Sequence, residues 1–173
     1  IHAFTDGVTL VTSGNQTVIV ADALNINLTD TETWLVGATL ASRLEVTGTA
    51  TMLAGSANEL TITARDLSGN VDTTYNGIKS LTFSGPGIAP GGQIPTIGGL
   101  DVGATILVNF TSGISDASAA TLIAYSAQTI TVDVNDGTIN STGYGLNLTV
   151  NPAPTTRLDL TPDEGLAVSG APF

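Results

Sequence analysis

The feature that most constrains this chain is a residue-by-residue alternation of apolar and polar side chains. It recurs along the sequence and nowhere gives way to a sustained helical period. Leu44-Val46, Leu60-Ile62-Ala64, Leu81-Phe83, Ile106-Val108-Phe110, Leu122-Ala124, Ile130-Val132-Val134 and Leu146-Leu148-Val150 each place apolar side chains on one face. Thr, Asn, Asp or Glu mostly occupy the other. Such segments are expected to be half-buried antiparallel strands. Between them stand Ser68-Gly69-Asn70, Asn76-Gly77, Ser112-Gly113, Asn135-Asp136-Gly137 and Thr142-Gly143, residues that reach positive φ or bond their own backbone in turns.

Seven such strands in about 110 residues match the strand count of an all-β, immunoglobulin-like antiparallel β-sandwich. With 42% hydrophobic and 11% charged residues, the chain can bury a core and does not have the composition of a disordered segment. Neither Cys nor Trp lies between Arg43 and Val150, so the disulfide and packing tryptophan of antibody domains are missing and an aliphatic core is expected. Tyr144, at the head of the last strand, is a candidate corner tyrosine whose hydroxyl bonds back to the chain.

The chain also repeats itself. Ser42-Arg-Leu-Glu-Val-Thr47 matches Thr156-Arg-Leu-Asp-Leu-Thr161, and Ala54-Gly55-Ser56-Ala57 matches Ser169-Gly170-Ala171-Pro172 after a one-residue shift. Phe4-Thr-Asp-Gly-Val8 matches Phe110-Thr-Ser-Gly-Ile114, and Gln16-Thr17-Val18 matches Gln128-Thr129-Ile130. A period of about 110 residues with slightly unequal offsets is what insertions between strands produce in tandem β-repeats. Residues 1–41 are therefore expected to be the C-terminal strands of a preceding repeat, 42–153 a complete repeat, and 154–173 the N-terminal start of a following one. Asn151-Pro-Ala-Pro154 and Gly37-Ala38-Thr39 stand at the two junctions. The opening Ile1-His2-Ala3 has neither an initiator methionine nor a basic leader region, so the gene product is expected to begin upstream.

The order Leu60-Thr-Ile-Thr-Ala64-Arg-Asp66, Gly69-Asn70, Tyr75-Asn-Gly77, Lys79-Ser-Leu-Thr-Phe83-Ser-Gly85, Asn109-Phe-Thr, Gly113, then Asp136-Gly137-Thr138 and Asn-Pro-Ala before the next repeat resembles the bacterial Ig-like and filamin-like tandem repeats of large cell-surface or secreted proteins. The resemblance covers nearly the whole chain. It implies a β-sandwich in a tandem array and carries over no catalytic residues.

Charge narrows the function classes. Four basic residues against fifteen acidic ones give a net charge of -11, too few cations to neutralise a run of phosphates. Nucleic acids and anionic membranes are therefore not expected partners. No apolar run is long enough for a membrane-spanning helix. The absence of cysteine removes disulfides, thiolate catalysis and Cys-ligated zinc without assigning a compartment. Forty Ser and Thr with a single Lys make a composition associated with exported surfaces and fibres, and an extracellular or cell-surface location is expected.

Each candidate for chemistry has a plainer counterpart. His2, the lone histidine, makes neither a triad nor a zinc site by itself. Asp66, Asn70 and Asp72, and likewise Asp133 and Asp136, are weak calcium candidates because they cluster oxygen-bearing side chains. Neither cluster fits a helix-loop-helix calcium loop, and both equally make turns in which Asp and Asn bond their own backbone. Asp159, Asp163 and Glu164 are a further set near the second junction. No cofactor is expected otherwise. The other acids are scattered without an aromatic platform, unlike the paired carboxylates of a glycosidase. Lys79 is a remote isopeptide candidate and more simply a surface lysine. The Gly- and Pro-rich segment 84–103 lacks a phosphate-loop spacing. Its Ile88, Ile94, Ile97 and Leu100 are expected to pack on its own sheet or on a neighbouring subunit. Sequons at Asn15, Asn27, Asn109, Asn140 and Asn147 are candidate N-glycosylation sites. Asn109 and Asn147 are expected to point outward from strands, and Asn15 and Asn140 to lie in turns.

The function expected is that of a non-catalytic structural or adhesive repeat in an extracellular fibre, sheath, surface layer or adhesin stalk. Its partners would be neighbouring repeats or subunits of the same protein, with strand addition between subunits as one route of assembly. The alternatives are a carbohydrate-binding accessory module of a secreted hydrolase and a virion or tail-fibre decoration domain. An enzyme is not expected.

Overall fold

Residues 7–155 are described by the structure, a computed structural model, and among them every regular element is a strand. The first two, β1 (Gly14–Ala21) and β2 (Thr29–Val36), pair as an antiparallel ribbon. Then follow β3 (Arg43–Thr47), β4 (Thr51–Leu53), β5 (Ala57–Glu59), β6 (Thr61–Arg65), β7 (Gly77–Ser84), β8 (Thr96–Ile97) and β9 (Leu100–Asp101). The chain continues through β10 (Thr105–Thr111), β11 (Ile114–Ser115), β12 (Thr121–Ile123), β13 (Gln128–Asn135) and β14 (Leu146–Asn151).

Alternation in the sequence becomes alternation of burial. Along β10, Ile106, Val108 and Phe110 are buried while the residues between them are exposed, as a pleated strand with one face on a core requires. The same phase in β3, β6, β7, β12, β13 and β14 brings Leu44, Ile62, Leu81, Phe83, Leu122, Val132, Val134 and Leu148 into one cluster. The core is aliphatic apart from Phe83 and Phe110, and Tyr75 meets Phe110 edge-on with ring centroids 4.9 Å apart.

These strands form a β-sandwich. The larger sheet has the order β3-β6-β11-β10-β7-β13-β14-β4 and the smaller β5-β12-β8-β9. The larger one begins and ends with strands that are neighbours in sequence. The chain runs through β3 antiparallel to β6, passes Gly48-Thr49-Ala50, and enters β4 beside β14. Because it keeps its direction, it meets β14 parallel, which departs from the purely antiparallel arrangement expected. Asn58, 3% exposed, secures the crossing: its amide accepts the Thr49 N–H at 3.0 Å and donates to the Thr49 carbonyl at 2.8 Å.

β13 also changes partner midway, pairing with β14 from Gln128 to Val132 and with β7 from Asp133 to Asn135. The bend brings Thr131 against Gly85, whose φ is +120° and where a Cβ would lie 2.2 Å from the Thr131 carbonyl oxygen. Glycine is the residue such an approach permits. The outer edge of β3 is covered as well, since Leu44 and Val46 donate to the carbonyls of Asn140 and Tyr144 at 2.9 and 3.0 Å.

Segment 84–103 packs on its own sandwich. Ile97 enters the core, Pro86, Ala89 and Pro95 are buried, and β8 and β9 extend the smaller sheet. Ile88, Ile94 and Leu100 stay exposed. No residue of the ribbon belongs to the core cluster.

Candidate functional site

The densest polar site lies where the ribbon meets the sandwich. β6 carries its buried phase through Leu60, Ile62 and Ala64 to Asp66, which is 2% exposed. The chain then turns through Leu67-Ser68-Gly69. Asp66 and Asn70 close the turn, the Asp66 N–H donating to the Asn70 carbonyl and the Asn70 N–H to Asp66 Oδ1, both at 2.8 Å. Arg43 Nη1 donates to the Asp66 carbonyl at 2.8 Å and Arg65 Nη1 to that of Gly69 at 3.0 Å. Arg65 also forms an ion pair with Glu45 on the adjacent strand β3.

The loop then grips the chain arriving from the ribbon. Asp66 Oδ2 accepts the Thr39 N–H at 3.1 Å, and Asp72 Oδ2 accepts the Ala41 N–H at 2.8 Å. Asn70 reaches the other leg, where Oδ1 accepts the Ser13 N–H at 3.0 Å and Nδ2 donates to the Val11 carbonyl at 2.9 Å. Three side chains of one short loop thus hold the segments before β1 and after β2.

Electrostatics favours charged acids here. Burial alone would raise the carboxyls of Asp66 and Asp72, the latter only 3% exposed. For Asp66, hydrogen bonds from the Asn70 side chain and from backbone N–H groups prevail and hold it below its ordinary value. For Asp72, donors at Thr74 and Ala41 do the same, against the charge of Asp66. The oxygens of both are taken up by N–H and O–H donors.

Asp133 and Asp136, the other calcium candidates, serve different neighbours. Asp133 Oδ1 accepts the hydroxyl of the buried Ser141 at 2.8 Å. Asp136 Oδ1 accepts the N–H groups of Thr138 and Ile139 at 2.8 Å, and Oδ2 accepts the Tyr75 hydroxyl at 2.6 Å. Asp72 and Asp136 do line one shallow recess, with Leu40, Tyr75 and Lys79. Among the described residues no three His, Asp or Glu side chains are grouped to hold a metal. His2, Asp159, Asp163 and Glu164 lie outside the described residues.

The corner role expected of Tyr144 is not filled by it. The ring of Tyr144 lies under the Arg43 guanidinium, 4.2 Å from the centroid, and its half-exposed side chain is not a corner tie. Tyr75 makes the long-range bond instead, to Asp136. Burial and that acidic acceptor push its hydroxyl well above the ordinary tyrosine range. Lys79 places its amine 4.3 Å over the centroid of the Tyr75 ring.

All five sequon asparagines are exposed. Asn109 and Asn147 point outward from β10 and β14. Asn27 lies in the turn joining the two ribbon strands. Asn15 sits within β1, not in a turn, because the ribbon begins at Gly14. Asn140 follows the 136–139 turn and accepts the Thr142 N–H at 2.9 Å.

The ribbon and the end of the sandwich share a ladder. Gln16 opposes Trp34 and Thr17 opposes Thr33 in the ribbon, while Gln128 opposes Val150 and Thr129 opposes Thr149 in β13–β14. The threonine hydroxyls face each other in both places, at 2.9 and 3.5 Å. Fold and site together define the class: an all-β sandwich with a second strand pair tied to one end. No protein-family model matches the chain, and no curated protein matches it.

Proposed function

We propose that this chain is a non-catalytic structural or adhesive module from a tandem array of Ig-like repeats, working in an extracellular fibre, sheath, surface layer or adhesin stalk. In this reading residues 1–41 close one repeat, 42–153 form the next and 154–173 open a third. The shared Gln-Thr ladder of β1–β2 and β13–β14 supports the repeat. The seven alternating segments, all contributing to one core, support the Ig-like assignment.

The observation that carries the function is the grip of Asp66, Asn70 and Asp72 on both legs of the ribbon. A flexible tether needs no such contacts, whereas a joint of fixed orientation does. Tension along the chain would be shared by several hydrogen bonds, and the closed sandwich behind them needs no disulfide. The net charge of -11 discourages random association. The exposed Trp34, Tyr125 and Tyr144 stand on separate elements, with Tyr144 under Arg43, and favour no sugar-stacking platform.

Electron microscopy of the native material, with intact mass on the same sample, tests this reading. Filaments or a lattice built from this unit are expected, and excess mass would place glycans on the exposed sequons. Dispersed single particles would overturn it.

A further inference from the structure

The sandwich is entered and left along a single seam. Residues 43–54, where the chain comes in, run in the same direction as residues 140–151, where it goes out, and their partners rise together. Leu44 and Val46 donate to the carbonyls of Asn140 and Tyr144 at 2.9 and 3.0 Å. Further along, the Ala50 carbonyl accepts the Thr149 N–H at 2.9 Å, and the Ala54 N–H donates to the Asn151 carbonyl at 2.8 Å. Between these last two bonds β4 and β14 pair in parallel, Thr51 with Thr149 and Leu53 with Asn151.

The parallel alignment fixes how the seam meets tension. The chain enters at the Leu44–Asn140 end and leaves at the Ala54–Asn151 end. Pulling on the chain therefore draws 43–54 back toward the ribbon and 140–151 forward past Asn151. The two segments are driven to slide along each other, so that their cross-bonds are strained together instead of opening one after another from an end. Neither segment can swing aside, because β3 is backed by β6 and β14 by β13. Asn58 ties the crossing at Thr49. Sliding would also draw Leu44, Val46, Met52, Leu146, Leu148 and Val150 out of the core.

We infer that the seam between residues 43–54 and 140–151 is the load-bearing element of this protein, a lock that resists pulling along the chain more strongly than pulling that opens it from one end. Its use rests on the structural-module reading, in which each unit passes tension to the next.

The turn after β4 supplies a variant. The Ser56 N–H closes it on the Leu53 carbonyl at 3.0 Å, and Gly55 takes the third place at φ +80°. This is the type II pattern, which accepts proline in the second place, where Ala54 stands. Ala54→Pro therefore keeps the turn and deletes one bond of the seam, the N–H donated to Asn151.

The chain has no cysteine, so introduced pairs define the pulling points in the 173-residue protein. Leu40→Cys with Ala153→Cys loads the seam lengthwise, and Leu53→Cys with Ala153→Cys opens it from its exit end; all three side chains are exposed. In single-molecule force spectroscopy at equal constant tension, the lengthwise pair should outlast the other, while the thermal midpoints of the two without load stay alike. Adding Ala54→Pro to the lengthwise pair should shorten its lifetime about fivefold, the worth of one net hydrogen bond, with the thermal midpoint little changed. Equal lifetimes in the two directions would overturn the lock without recourse to the proline variant, and so would a folded Ala54→Pro protein that lasts as long as its parent. Equal lifetimes alongside filaments in native material would overturn the lock alone, whereas unequal lifetimes alongside dispersed particles would uphold the lock and overturn the module.

Discussion

Thr39 donates its backbone N–H to Oδ2 of Asp66 at 3.1 Å, joining the linker after the ribbon to a loop of the sandwich. The neighbouring Asp72 takes the N–H of Ala41, and Asn70 takes Ser13 on the ribbon's other leg. Orientation of the ribbon on the sandwich is thereby set by side chains of a single loop.

Replacing Asn70 with Ala removes both bonds to Val11 and Ser13 while leaving the core untouched. The thermal midpoint of the sandwich should shift by only a few degrees, since about 1 kcal/mol per hydrogen bond is at stake. The ribbon should move independently. Time-resolved anisotropy of Trp34 should gain a nanosecond component that the parent lacks, and an unchanged decay would mean that Asp66 and Asp72 suffice to hold the joint.

Acid should loosen the site in a defined window. Asp66, Asp72 and Asp136 are all lowered from 3.8, hydrogen bonds outweighing the upward push of burial in each case. A carboxyl depressed by folding contributes stability that is complete above its unfolded value and lost as pH falls through its folded one. The urea midpoint should therefore be level from about pH 7 to pH 5 and fall below 3.8. Asp72→Asn should weaken the protein at neutral pH and flatten the acid limb. A decline that sets in between pH 7 and 5 would assign acid sensitivity to other groups.

Two substitutions around one aromatic contact should differ in size. Phe110→Ala empties a fully buried ring site and should cost about 3–5 kcal/mol in chemical denaturation. Tyr75→Phe keeps the edge-on packing and removes only the hydroxyl bonded to Asp136, for about 1–2 kcal/mol. Equal losses would place Tyr75's worth in its hydroxyl and not in its ring.

Gly85→Ala should be among the most damaging single-methyl changes available. The added Cβ would meet the Thr131 carbonyl at 2.2 Å with φ at +120°. A loss of at least about 2 kcal/mol is expected, with amide exchange accelerating first across the β7–β13 pairing.

Much of the fold was legible because alternation is a local signal that burial converts directly into one face of a strand. Leu60, Ile62 and Ala64 announced β6, and Ile106, Val108 and Phe110 announced β10. The short strands β4, β8, β9 and β11 left no such trace, because two or three residues are too few to show a period. The site was half legible. Asp66, Asn70 and Asp72 stood out as a cluster of oxygen-bearing side chains, yet cation and N–H donors select the same residue types. One overlooked clue was phase: Asn58 and Asp66 continue the inward series of Leu60, Ile62 and Ala64, marking them as buried polar groups that must find partners.

The sequence by itself determined that this chain is built of strands and where its turns fall, since both depend on neighbours within a few residues. Only the tertiary structure decided that β4 meets β14 in parallel, that β13 changes partner at Val132, and that Tyr75 rather than Tyr144 makes the long-range bond. It also decided that three acidic-loop side chains hold the two legs of the ribbon. Those outcomes rest on contacts between residues far apart in the chain, chosen by where packing of the core leaves each backbone donor without a strand partner.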